Sequence, residues 1–264
     1  FHTIHNDAPK EISNKFEFYL RRFFYSTSIV RAITISKDTS SSFLKFYKTT
    51  KFKEILNGRS FPKTTSKLEA VKAEIQQPDY TSFIHVGRFS NQKNQEVLVS
   101  VFNKIVAKGY KVKLFVIGPG FDSQTAKKLK EKAGDHIHFL GSKHNIADYY
   151  HAADAFCLSS VHEGMPITLI EAFACGCIPI CTPAGGVKNM ITDGKNGYLS
   201  NSFSEEDYCN KVKTFLKHKD KIDRNHLKEL FYSTYHMNVC ATNYINVYLE
   251  NLSHGSEKIA IKSI

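Results

Sequence analysis

From Ser82 onward, short apolar, β-branched runs alternate with amphipathic helical patterns, and few folds accommodate that rhythm. The runs are SFIHVG (82–87), KVKLFVIG (111–118), HIHFLG (136–141), DAFCLSS (154–160), IPICT (178–182) and GYLS (197–200). Helix-period segments fill 92–108, 123–133, 145–152, 167–174 and 186–191. In the first of these Val97, Leu98, Val101, Phe102, Ile105 and Val106 share a face. Six strands alternating with helices predict a doubly wound parallel sheet covered on both faces. After residue 203 the pattern is helical, with apolar spacing over 207–216 and 237–249.

Residues 1–66 are organised differently. TIH reads as the end of a strand, 13–26 as an aromatic-rich helix, VRAITIS (30–36) as a strand and 38–47 as a second helix; Asn57-Gly58 reads as a turn. This is the back half of a second α/β domain, joined by a polar linker (67–80) to the domain over 81–235. A helical segment (236–251) and a tail (252–264) follow. The first residue is Phe and no signal sequence follows it, so the chain is expected to start inside a longer domain.

The formal net charge is +11, denser towards the N-terminus, which favours anionic partners such as sugar nucleotides, nucleic acid or a membrane surface. No zinc-finger spacing, RNP-type motif or basic helix with heptads supports nucleic acid. No run approaches the ~20 apolar residues of a membrane span. Cys157, Cys175, Cys177, Cys181, Cys209 and Cys240 sit mostly among apolar neighbours and lack paired metal-ligand spacing. They read as reduced thiols of a cytoplasmic protein, for which the Asn251-Leu-Ser253 sequon has no meaning. His136 and His138 read as strand surface.

Three constellations carry chemistry. In HVGRFSNQKNQE a strand ends at Gly87, Arg88 follows, and Lys93 stands at a helix start, an arrangement suited to a diphosphate. A solvated basic loop is the plainer alternative. In SSVHEGMPITLIEAFACG, Glu163 and Gly164 precede a helix opened by Pro166, with Glu171 inside it. Glu171 can accept both hydroxyls of a ribose. Capping boxes at Thr168/Glu171 and Ser160/Glu163 are the structural alternatives, and the position of Pro166 disfavours both. TPAGGVKNM adds a Gly-Gly turn, by itself weak.

EGMPITLIEA, with two glutamates separated by seven residues, resembles the donor-site motif of the family 4 retaining glycosyltransferases (glycosyl transferases group 1). VGRFSNQKN, GSKHNIADYYHAADAFCLSSVHEG and AFACGCIPICTPAGGVKNMITDGKNGYL follow that family's order, and TIHN, ITISKDTSSSFLKFY and EILNGRSFP resemble the second half of its N-terminal domain. The resemblance implies an α/β, GT-B type fold: two Rossmann-like domains, the N-terminal one incomplete, with the helix at 236–251 crossing back to it. It implies that Gly87, Arg88 and Lys93 hold the donor diphosphate. Glu171 binds the ribose, Glu163 lies beside the transferred sugar, and backbone around Gly164, Met165, Pro166 and Ile167 contacts sugar and phosphate. Ser142 and Lys143 fall where the nucleobase packs, and His5 faces the donor sugar, although a lone strand-end histidine is also an ordinary structural residue.

The expected reaction is sugar transfer, with retention, from a nucleoside-diphosphate sugar to a glycan or glycolipid hydroxyl in cell-surface polysaccharide synthesis. No cofactor or metal is expected, because the cationic side chains take the place of magnesium. The alternative is a truncated, non-catalytic nucleotide-sugar binding fragment. KFEFYLRRFF (15–24) is either a domain helix with core aromatics or a peripheral contact with an anionic membrane.

Overall fold

The computed structural model describes residues 1–5, 7–27 and 29–260, with side chains up to residue 250. Asn6 of TIHN, the side chains of the 251–253 sequon and residues 261–264 of the expected tail lie outside the described residues. The chain forms two compact units, one from Phe1–Ser60 with the chain from Ser233 onward, the other Phe61–Tyr232.

The first unit is built on a parallel three-stranded sheet, β1 (His2–Ile4), β2 (Ala32–Thr34) and β3 (Phe52–Glu54), in that order. α1 (Lys15–Thr27) and α2 (Lys37–Tyr47) connect the strands. Period-2 alternation splits the sheet's side chains between two faces. Ile4 and Ala32 pack with Tyr25, Phe43 and Tyr47 of the two helices. α2 starts at an N-cap, Ser36, whose hydroxyl accepts from the Thr39 amide.

The second unit opens with α3 (Leu68–Ile75). The expected linker at 67–80 therefore contains a helix: Val71 and Ile75, four residues apart, are both buried, each contributing roughly 1.5–3 kcal/mol. β4 (Thr81–Val86), α4 (Gln95–Ala107), β5 (Val112–Ile117), α5 (Gln124–Glu131), β6 (Ile137–Gly141), α6 (Ile146–Ala152), β7 (Ala155–Leu158), α7 (Ile167–Cys175), β8 (Ile178–Cys181), α8 (Val187–Met190), β9 (Tyr198–Leu199), α9 (Glu205–Lys217) and α10 (Arg224–Leu230) follow. All six strands pair in parallel, in the order β6-β5-β4-β7-β8-β9. β4 and β5 are almost wholly buried, as strands covered on both faces must be. Phe83 of β4 packs against Phe102 of α4 and Phe215 of α9, at ring separations of 4.9 and 5.4 Å.

α11 (Met237–Ala260) returns to the first unit, where Val247, Cys240 and Tyr244 cover Ile33 and Ile55 on the sheet face opposite Ala32. Here Asn57-Gly58 makes no turn. Gly58 lets the chain run against α11, since a Cβ on it would stand 2.5 Å from that of Cys240. The Arg59 and His236 segments are bridged by bonds from Arg59 N to Tyr235 O and from Met237 N to Arg59 O.

Candidate functional site

The strand order fixes where a ligand can enter the second unit. The chain runs outward from β4 through β5 to β6, then returns to β7 on the other side of β4 and runs outward again. The switch point lies between the carboxyl ends of β4 and β7, the position at which open α/β sheets form their ligand crevice. The loop after β4 carries Gly87, Arg88 and Lys93; the loop after β7 carries Glu163 and Gly164.

The structure joins these loops directly. Lys93 Nζ lies 2.7 Å from Glu163 Oε1, and the Ser160 hydroxyl donates to the same oxygen at 2.6 Å. Backbone ties the loops as well: Val161 N donates to Gln92 O, the Gln92 amide donates to His162 O, and the Ser159 hydroxyl donates to the carbonyls of Lys93 and Asn94. Lys93 stands in the turn before α4, which begins at Gln95, three residues later than the sequence pattern places the helix. Asn94 adopts a left-handed conformation (φ 50°) that stops the helix from extending back.

Beneath this loop lies a buried polar chain that apolar patterning does not reveal. His85, in β4, bonds through Nδ1 to Cys157 O at 2.9 Å, and the Gln95 amide nitrogen reaches His85 Nε2 at 3.2 Å and Arg88 O at 2.9 Å. Burial pushes the His85 imidazole down to about 4, so the ring is neutral: Nδ1–H donates and Nε2 accepts from Gln95. The chain holds the backbone at Arg88, whose side chain is exposed. A histidine between Ile84 and Val86, in the apolar half of β4, was the available signal.

α7 begins after Pro166, which is its N-cap and not its first helical residue. Met165 and Pro166 are buried, while Gly164 and Ile167 remain half-buried at the helix mouth, where the first-turn N–H groups face outward. Glu171 is the fifth residue of the helix and is buried. That depth removes it from any capping role. Ser160 bonds to the Glu163 side chain in a non-helical loop, so that pair is no cap either.

The Gly-Gly pair does more than turn the chain. Gly185 has φ +49°, and Gly186 N donates to the carbonyls of Glu163 (3.3 Å) and Gly164 (3.1 Å), clamping the β7 loop from the β8 side. Gly118 plays a comparable part after β5, where a Cβ would stand 2.1 Å from Gly87 O.

Ser142 and Lys143 follow β6 and line a cleft of about 520 Å³ with Thr65, Lys67, Glu74 and Tyr149; the Lys143 ammonium lies 5.9 Å from the Tyr149 ring centre. Neither Lys93 nor Glu163 lines this cleft. His5 belongs to the first unit, exposed at the end of β1, its amide donating to Glu11 Oε1. Cys157 and Cys175 are free thiols pushed up to about 12 by burial, which removes them as nucleophiles. Among the described residues no group of three or more His, Cys, Asp or Glu is placed to hold a metal ion, and no helix is long and apolar enough to cross a membrane.

Comparison with known proteins identifies the fold and the family. N-acetyl-alpha-D-glucosaminyl L-malate synthase of Bacillus anthracis is 34% identical over 118 residues, covering 44% of this chain and 31% of that protein. Lipopolysaccharide 1,2-N-acetylglucosaminetransferase of Salmonella typhimurium is 27% identical over 156 residues, covering 54% and 41%. The chain thus spans well under half the length of these two relatives. Anabaena HepE, solved in complex with UDP and glucose, superposes with a TM-score of 0.80 at 17% identity, covering 94% of this chain and 71% of that one. The fold is GT-B. The family model for glycosyl transferases group 1 matches residues 67–231, the whole sheet with both loops of the switch point, and the chain belongs to that family.

Proposed function

We propose that the crevice between β4 and β7 binds a nucleoside-diphosphate sugar and that the protein moves the sugar, with retention, to a hydroxyl of a glycan or glycolipid in cell-surface polysaccharide synthesis. The observation that carries this reading is the pairing of Lys93 with Glu163 across the switch point, in the loop that leads into α7. Arg88, Lys93 and the α7 N-terminus neutralise the diphosphate, Glu171 accepts the ribose hydroxyls, and Glu163 accepts from a hydroxyl of the sugar. The acceptor oxygen attacks the anomeric carbon on the face from which the phosphate departs. The carbon–oxygen bond to phosphate breaks, and the acceptor proton passes to the leaving phosphate oxygen. Fixed cations and helix N–H groups stabilise the charge developing there, so the reaction needs no metal. Support comes from the name of the Salmonella relative, an N-acetylglucosaminetransferase, and from HepE, which holds UDP and glucose. Titration with nucleotides, described below, tests the donor site.

A second observation bears on location. Phe16, Tyr19, Leu20 and Phe23 form an exposed apolar stripe on α1, flanked by Lys15 and Arg22. We propose that this face contacts an anionic membrane on its cytoplasmic side, where a lipid-linked acceptor would be presented.

A further inference from the structure

We propose that Glu163 acts as a selector between donor and product: once no sugar is present, it reclaims Lys93 and weakens the hold on the remaining nucleoside diphosphate. The inference rests on the donor-site reading above and adds a step to it, the release of product.

The ion pair is enclosed. The side chains of Lys93 and Glu163 are 15% and 8% exposed, and the Glu163 oxygen that accepts from Lys93 also accepts from Ser160. Their loops are bonded to each other through Gln92, Val161, Ser159 and His162, so neither residue leaves the other by loop movement. Only the side chains can re-pair. A diphosphate entering the crevice must therefore share the Lys93 ammonium with a carboxylate already in place, and two anions then face each other across one cation in a poorly hydrated site. An intact donor relieves this conflict, because a sugar hydroxyl donates to Glu163 and replaces the proton donor it lost. A nucleoside diphosphate brings no such hydroxyl. The same carboxylate thus favours the donor and penalises the product, which suits an enzyme that must release one after using the other.

The test is calorimetric titration of the full chain and of Glu163→Gln with UDP, GDP and ADP, then with UDP-glucose, GDP-mannose or ADP-glucose for whichever nucleotide binds. Glutamine keeps the shape and can still accept from Ser160, but lifts the charge conflict. The expected result is about tenfold tighter binding of the nucleoside diphosphate and several-fold weaker binding of its sugar conjugate. Glu163→Asp, which draws the carboxylate back from Lys93, should shift both affinities in the same directions by less, and serves if the glutamine variant does not fold. In a Lys93→Met background the tightening should vanish; a tightening that persists there reflects general charge removal and overturns the selector. Wild-type binding of a nucleotide with no tightening in Glu163→Gln overturns the selector alone. A wild-type chain that binds none of the three nucleotides overturns the donor-site reading together with it.

Discussion

A Cβ on Gly185 would lie 1.9 Å from the carbonyl oxygen of Glu163, so the loop that carries the carboxylate is seated against a position only glycine can occupy. Gly185 also has φ +49°, a conformation that costs an L residue roughly 1–2 kcal/mol. Gly185→Ala should therefore displace Glu163 and weaken donor binding at least about tenfold, since misplacing a site by an ångström has effects of that order or larger. Gly109 separates strain from site damage. It has φ +85° with nothing within 4 Å, so Gly109→Ala should cost about 1 kcal/mol of stability and leave donor affinity unchanged. Equal donor affinities in the two variants would contradict this account.

Lys93→Ala removes a cation of the proposed diphosphate site and strands a buried carboxylate. Turnover, followed as release of nucleoside diphosphate from the donor, should fall about 100-fold or more, with the donor KM changed only several-fold. A loss confined to KM would show that Lys93 binds the ground state and the transition state alike.

The His85 imidazole gives the second unit an acid-sensitive core. Its value is about 4 in the folded protein against an ordinary 6.5, so between these limits the unfolded chain binds the extra proton. The stabilisation is fully present above about pH 6.5 and is lost as pH falls towards 4. Urea titrations at about pH 7.5 and about pH 5 should differ by about 2 kcal/mol from this residue alone, and His85→Gln should reduce the difference by that amount. His136, His138 and His151 are lowered by burial too and leave a smaller residual slope of the same sign. An unchanged pH dependence in His85→Gln would contradict the assignment.

Replacing Phe16, Tyr19, Leu20 and Phe23 together by Ser tests the exposed stripe on α1. The wild-type chain should sediment with liposomes that contain anionic lipid and remain in solution with neutral ones, and the variant should remain in solution with both. Equal sedimentation of the two chains would remove α1 from any membrane contact.

The parts of this molecule legible in its sequence are those where one periodicity acts alone. β4 to β9 were recognisable because buried parallel strands need unbroken apolar runs, and α7 because Pro166 and Gly176 bracket its apolar stretch. α3 was hidden because only Val71 and Ile75 mark its buried stripe among charged neighbours, and β3 because Phe52 is its one apolar residue. The candidate site was half legible. The motif residues could be named, but the 2.7 Å approach of Lys93 to Glu163 joins positions 70 apart and depends on the strand order, which no local pattern encodes. Gly185 was opaque for a similar reason: a Gly-Gly pair reads as a turn until the backbone it abuts is known.

The central claim is that this crevice holds a nucleoside-diphosphate sugar with Glu171 on its ribose. The most direct measurement is calorimetric titration of the chain with UDP, GDP and ADP and their common sugar conjugates, repeated on Glu171→Ala. The account predicts saturable binding selective for one base, reduced at least about 100-fold in the variant, as expected when a charged two-oxygen acceptor is removed from two hydroxyls. Binding of equal strength in the variant, or no binding by a folded wild-type chain, would contradict it.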